Sequence, residues 1–219
     1  FIAETKTGFA YILSQPVILG LTVMEAFASV FGLDHALLTI LASDVFRVGA
    51  RGLGFLQSAR GLGAVIGSSV FIAMGQRPEQ GRILLVSALL YGAGFALFGM
   101  APSFSLALIL LAFVGATDTI WAAARSTIMQ MRTPEKFRGR VMGVFQLSNR
   151  GLHPLGQLES GIMVPLIGAR EATVMGGTII TIISICTAWR MPDLVKFRWG
   201  TVEEGAETGK MEEERSGAG

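Results

Sequence analysis

The chain has 219 residues, of which 51% are hydrophobic and 16% charged, with a net charge of +2 and one cysteine. Ordinary soluble domains carry charge on roughly a quarter of their residues, and here the charges gather in short links and the last thirty positions. So small a net charge, with no basic cluster interleaved with aromatics, argues against a nucleic-acid partner. A single cysteine, Cys186, excludes a disulfide framework or a cysteine-based zinc site within the chain.

The opening, Phe1 to Gln15, lacks the charged start, apolar middle and small-residue cleavage site of a signal peptide. We read it as a linker, residues 1–16, that begins inside a longer protein.

A bilayer core takes about 20 mostly apolar residues per helix. Six windows meet or approach that length. They are Val17 to Leu41, Leu53 to Met74, Ile83 to Ala101, Phe104 to Ala124, Val141 to Met163 and Ala172 to Trp189. Ile83 to Ala101 has no charged residue, and Phe104 to Ala124 has only Asp118. Barrel strands would alternate apolar with polar, whereas Leu106 to Val114 is apolar on every face. Lipid offers the backbone no hydrogen-bond partner, so each span must satisfy its own as a helix.

Pro16, Pro78, Pro102, Pro134, Gly168 and Pro192 fall between or just beyond the windows, where helix ends belong. The expectation is an all-α membrane protein with a six-helix bundle over residues 17–190. Residues 191–219 are expected to be a disordered tail, because the final stretch is Glu- and Gly-rich with little to bury. Orientation follows from the cationic links. One side carries Lys6, Arg77, Arg82, Arg132, Lys136, Arg138, Arg140, Arg190, Lys196 and Arg198; the other carries Arg47, Arg51 and Arg170. The richer side is expected to be cytoplasmic, with both ends of the chain there.

Small residues at Ala59, Gly63 and Gly67 share one face of the second window and predict a close helix contact. Gly92, Ala96 and Met100 make a weaker version.

Charges at membrane depth are costly and usually face protein or water. Glu25 lies near the middle of the first window and shares a face with Thr22, Ser29 and Gly32. It is either a proton-carrying carboxylate or a fixed partner in an ion pair. Asp34 and His35 are expected near the outer interface. Arg60 is expected to pair with Asp34, and Asp118 to meet Arg125 or Arg150. In the fifth window Gln146, Arg150, His153 and Gln157 recur at spacings of four, three and four. At 100° per residue they fall within about 60° of one another. That stripe is either the wall of an aqueous cavity or a set of groups buried against polar partners. Glu159 is a further charge in the same window. Two histidines without a nearby cysteine make no metal site, and no phosphate-binding loop of the Walker type is present. Neither a cofactor nor an enzymatic activity is expected.

The run Arg132-Thr133-Pro134-Glu135-Lys136-Phe137-Arg138-Gly139-Arg140-Val141-Met142-Gly143 resembles the link between spans ten and eleven of major facilitator superfamily proteins of the drug- and siderophore-exporter-like group. Glu135, Arg138, Gly139 and Arg140 carry that likeness. Pro154-Leu155-Gly156 and Gly161 are similar to the pattern inside the eleventh helix of that group, and Gly52-Leu53-Gly54, Gly61 to Ala64 and Gly67-Ser68 to its eighth. Thr7 to Pro16 is similar to the linker before its seventh helix. The superfamily's loop motif survives only in worn form as Gly75, Glu79, Gly81 and Arg82. Arg150 and Glu159 match nothing in the family pattern.

The resemblance implies the C-terminal six-helix half of a twelve-helix secondary transporter in a cell membrane. Its implied partners are lipid, a missing N-terminal half and a small-molecule substrate, moved by proton-coupled export. Two rival readings are a non-transporting scaffold or truncated remnant, and the membrane subunit of an ATP-driven importer. If the topology is right, tags in the link around Pro134 and in the link around Gly168 will be reachable from opposite sides of the membrane. Labelling of intact cells and inverted vesicles checks this.

Overall fold

Apolar length dictates the architecture. The computed structural model describes residues 11–75 and 79–195, and no strand occurs among them. The helices are α1 (Pro16–Phe31), α2 (His35–Ile40), α3 (Gly49–Met74), α4 (Gln80–Gly99), α5 (Phe104–Arg132), α6 (Glu135–Ile167), α7 (Ala169–Arg190) and the short α8 (Pro192–Val195). The cationic positions 6, 77, 196 and 198 lie outside the described residues.

The first expected span proves to be interrupted. Pro16 opens α1, where a missing N–H costs nothing. The helix ends at Gly32, whose backbone is extended. Asp34 then accepts a hydrogen bond from Leu37 N at 2.6 Å and starts α2 as its N-cap. One wide π-type turn, Leu41–Val45, follows directly. The whole segment Pro16–Val45 is 30 residues long and remains apolar enough to cross a membrane.

Five segments among the described residues have that length and apolar content. The exception is α6, which has the length but carries Gln146, Arg150, His153, Gln157 and Glu159 along it. Both α5 and α6 outrun their expected windows. At 1.5 Å per residue the 33 residues of α6 span about 50 Å, against a hydrocarbon core of about 30 Å. Its ends therefore extend past the apolar layer.

Lipid is as apolar as leucine, so close packing rather than water exclusion must hold helices together in a bilayer. The glycines supply it. Both α3 and α5 run in the same direction, and they touch backbone to backbone. A Cβ on Gly63 would lie 1.8 Å from the Ala112 carbonyl oxygen, and one on Gly67 would lie 2.3 Å from that of Ala116. From the other side, a Cβ on Gly115 would meet the Arg60 carbonyl oxygen at 2.2 Å. A second seam joins α4 to α7, where Gly177 faces the Ala96 amide and Gly92 faces Gly177 and Thr181. Met100 plays no part in this seam and is largely exposed. Two further seams place α1 on α6 through Gly156 and on α7 through Gly176.

The core holds Phe95, Phe98, Leu111 and Ile128 fully buried. The outer face of α3 presents Phe55, Leu62, Val65 and Ile72, all exposed and apolar, as a lipid-facing surface requires. Packed structure reaches beyond the expected bundle limits at both ends. Tyr11 stacks on Phe137 with ring centroids 5.2 Å apart, and Ile12 and Leu194 are buried. The remainder of the expected linker and tail lies outside the described residues.

Gly63→Val forces α3 off α5, and overpacking of this kind typically costs about 1–3 kcal/mol. The melting temperature in detergent should fall by several degrees. Gly61→Ala, at a position with nothing within 4 Å, should leave it unchanged.

Candidate functional site

Four of the charged groups at membrane depth form two ion pairs, both ending on α5. The first joins Glu25 of α1 to Arg125, with each side chain about nine-tenths buried. The second joins Arg60 of α3 to Asp118 at 3.2 Å, with about a third of each side chain exposed. Neither expected pairing forms: Arg60 does not meet Asp34, and Asp118 meets neither Arg125 nor Arg150. Depth alone had suggested Asp34 for Arg60. The Gly63 and Gly67 seam decides otherwise, because it sets α3 alongside α5 in parallel and brings the Arg60 side chain within reach of Asp118.

Asp34 does not stand open to solvent. It is buried, caps α2, and also accepts a hydrogen bond from Ser160 Oγ of α6 at 3.0 Å. His35 is exposed, with its Nε2 2.9 Å from Gln57 Nε2 of α3.

Arg125 is the centre of an aromatic cluster. Its guanidinium carbon lies 4.8 Å from the Trp121 ring centroid and 5.2 Å from that of Phe145 on α6. An arginine over an aromatic face gains electrostatic attraction, more so when desolvated. Trp121 in turn packs on Tyr91 of α4 at 5.7 Å. The Tyr91 hydroxyl accepts a hydrogen bond from Leu33 N at 3.4 Å, inside the break between α1 and α2. One run of side chains therefore ties the Glu25–Arg125 pair to that break, and Asp34 ties the break to α6.

The polar stripe of α6 lies on a different face. Val141, Val144, Phe145, Gly156 and Ser160 are buried, while Gln146, Arg150, His153 and Gln157 are all exposed. Counting 100° per residue, the two sets point in directions about 120° apart. The stripe is thus not buried against partners within this bundle. Among the described residues Arg150 has no carboxylate partner. Glu25 does not join the exposed stripe, since it is buried beside Arg125.

At the start of α6, Arg138 lies 4.0 Å from Glu135, and its backbone N–H donates to the Pro134 carbonyl at 3.0 Å. Gly139 has open space around it, and Arg140 is exposed. Sequence reasoning missed Tyr91, Trp121, Phe145 and Ser160 as site residues. Trp121 was within reach, because it sits four residues before Arg125 and so on the same helix face. The other three join only through tertiary packing. No cluster of three or more metal-ligating side chains occurs among the described residues.

Apolar spans held by glycine seams, with charges paired across helices and one polar face left open, define a multi-pass membrane protein. The chain belongs to the Major Facilitator Superfamily, whose pattern matches residues 7–215. It is 28% identical over 196 residues to the enterobactin exporter EntS of Escherichia coli O81 (strain ED1a), a match that covers 87% of this chain and 46% of that protein. The enterobactin exporters EntS of Escherichia coli O1:K1 / APEC and of Shigella boydii serotype 18 are each 27% identical over 196 residues, with the same coverage. The chain spans about half the length of the curated relatives it matches. No solved structure matches it significantly.

Removing one partner of a buried ion pair costs about 3–5 kcal/mol, whereas replacing both with neutral groups of similar volume is often close to harmless. Arg125→Met should therefore lower the melting temperature in detergent markedly. Glu25→Gln combined with Arg125→Met should recover most of that loss.

Proposed function

We propose that the chain is the C-terminal half of a secondary active transporter that exports a small molecule in exchange for protons. The observation that carries this reading is the α6 face formed by Gln146, Arg150, His153 and Gln157. Each of these groups would prefer water to lipid, yet all four lie on a helix long enough to cross the bilayer. A face of that kind is stable where it lines a water-filled cavity, and transporters of repeat architecture hold substrate near the midplane between two halves. The partner across the cavity is a second six-helix half, and lipid covers the apolar outer face of α3. The export direction is supported by the exporter names of the relatives.

Glu25 is the proton-carrying candidate. It is a carboxylate withdrawn from water and held by Arg125, so gaining a proton would release the guanidinium and free α1 from α5. The excess of Arg and Lys on the side of Arg82, Arg132, Arg138 and Arg190 supports a cell-membrane orientation with both ends of the chain cytoplasmic.

Transport in inverted vesicles carrying the full-length protein tests this reading. Arg150→Ala and Glu25→Gln should each reduce proton-driven accumulation at least tenfold at equal expression. Wild-type rates in both variants would exclude these residues from the mechanism and favour a membrane scaffold.

A further inference from the structure

Two donors in the aromatic cluster have no acceptor. Trp121 Nε1 and Arg125 Nε are both buried, and neither makes a hydrogen bond. Buried N–H groups without partners are uncommon in folded proteins, because each has given up water for nothing. Here two occur four residues apart on the same face of α5, and the guanidinium lies against the indole. Glu25 satisfies Nη1 of Arg125, which leaves Nε over.

The surroundings also point to a ligand. The rings of Tyr91, Trp121 and Phe145 surround these donors from three helices. Glu25 lies nine residues into α1 and Phe145 ten into α6, so they reach Arg125 at similar depth. At that level α5 meets α1 and α6 chiefly through this guanidinium. Backbone seams hold α1 to α6 and α7, and α3 to α5, but none holds α5 to α1 or α6. The bundle can therefore part between α5 and the α1–α6 pair without breaking a seam.

We infer that Trp121 and Arg125 form a binding site for the carboxylate of a small aromatic acid. In the absence of ligand, the Glu25 carboxylate occupies the guanidinium as an internal competitor. On binding, the ligand carboxylate takes the place of Glu25 on Arg125 and accepts the hydrogen bonds that Nε and Trp121 Nε1 now lack. Its ring packs among Tyr91, Trp121 and Phe145. This rests on the transport reading and narrows the substrate to aromatic acids. Two carboxylates then compete for one guanidinium, so a ligand of the opposite charge has no place there.

The experiment measures binding of radiolabelled benzoate to the full-length protein in detergent, by scintillation proximity. Glu25→Gln, which removes the competing charge, should bind benzoate at least threefold more tightly. Trp121→Phe keeps the ring and loses the N–H; Arg125→Lys keeps the charge and loses Nε. Each should bind at least tenfold more weakly, and benzylammonium should not compete. A monodisperse size-exclusion profile is required of each variant, and each is compared singly with the unaltered protein, so loss of one leaves the comparison decisive. Benzoate binding indifferent to both Trp121→Phe and Arg125→Lys would overturn the site. So would weaker binding by Glu25→Gln, or no binding by either the unaltered protein or Glu25→Gln. The expected binding pattern in a protein that moves no solute would sink the transport reading and leave the site standing.

Discussion

An arginine inside a bilayer has few places to put its charge, and Arg125 shows how one is accommodated. Burying an isolated guanidinium is prohibitive, so it needs a counter-charge, a polarisable surface, or both. This chain supplies both from separate helices: Glu25 from α1, and the faces of Trp121 and Phe145 from α5 and α6. The arrangement fixes which helices must converge, since the charge is tolerable only where all three meet. Tyr91 and the break at Gly32 to Asp34 then follow, because the indole that shields Arg125 is itself packed by Tyr91.

The broad fold was legible from the sequence for a reason that is special to membranes. With no water to satisfy peptide groups, apolar length alone demands helices, and Pro and Gly in the links mark their ends. Gly63 and Gly67 could be read as a contact face because small residues at spacings of four have few other uses at that depth. What could not be read was the partner of each face. Arg60 was matched by depth to Asp34, but depth is shared by six helices, and only the seam to α5 selects Asp118. The interruption of the first span was hidden for a similar reason: Gly32 and Asp34 are tolerable within a continuous helix until Asp34 turns its carboxylate onto the Leu37 amide.

The polar stripe on α6 is the opposite case. Three spacings put its four groups on one side of the helix, and the structure adds that this side is left uncovered. No sequence argument could separate a buried polar face from an open one, because both look alike on a helical wheel. The difference lies in Gly156, which seats the far side of α6 on the backbone of Ser29 and Val30 and so turns the stripe away from α1.

The seams also divide the molecule by how much change each part can absorb. Where main chain touches main chain, at Gly63, Gly67, Gly156, Gly176 and Gly177, even a methyl group has no room. Along the uncovered side of α6, by contrast, a side chain can be exchanged without disturbing any neighbour in this bundle. Inherited variation should therefore collect on one helix surface and be purged from the glycine lines. A chain built this way can alter the chemistry of its open face over generations while its skeleton stays fixed.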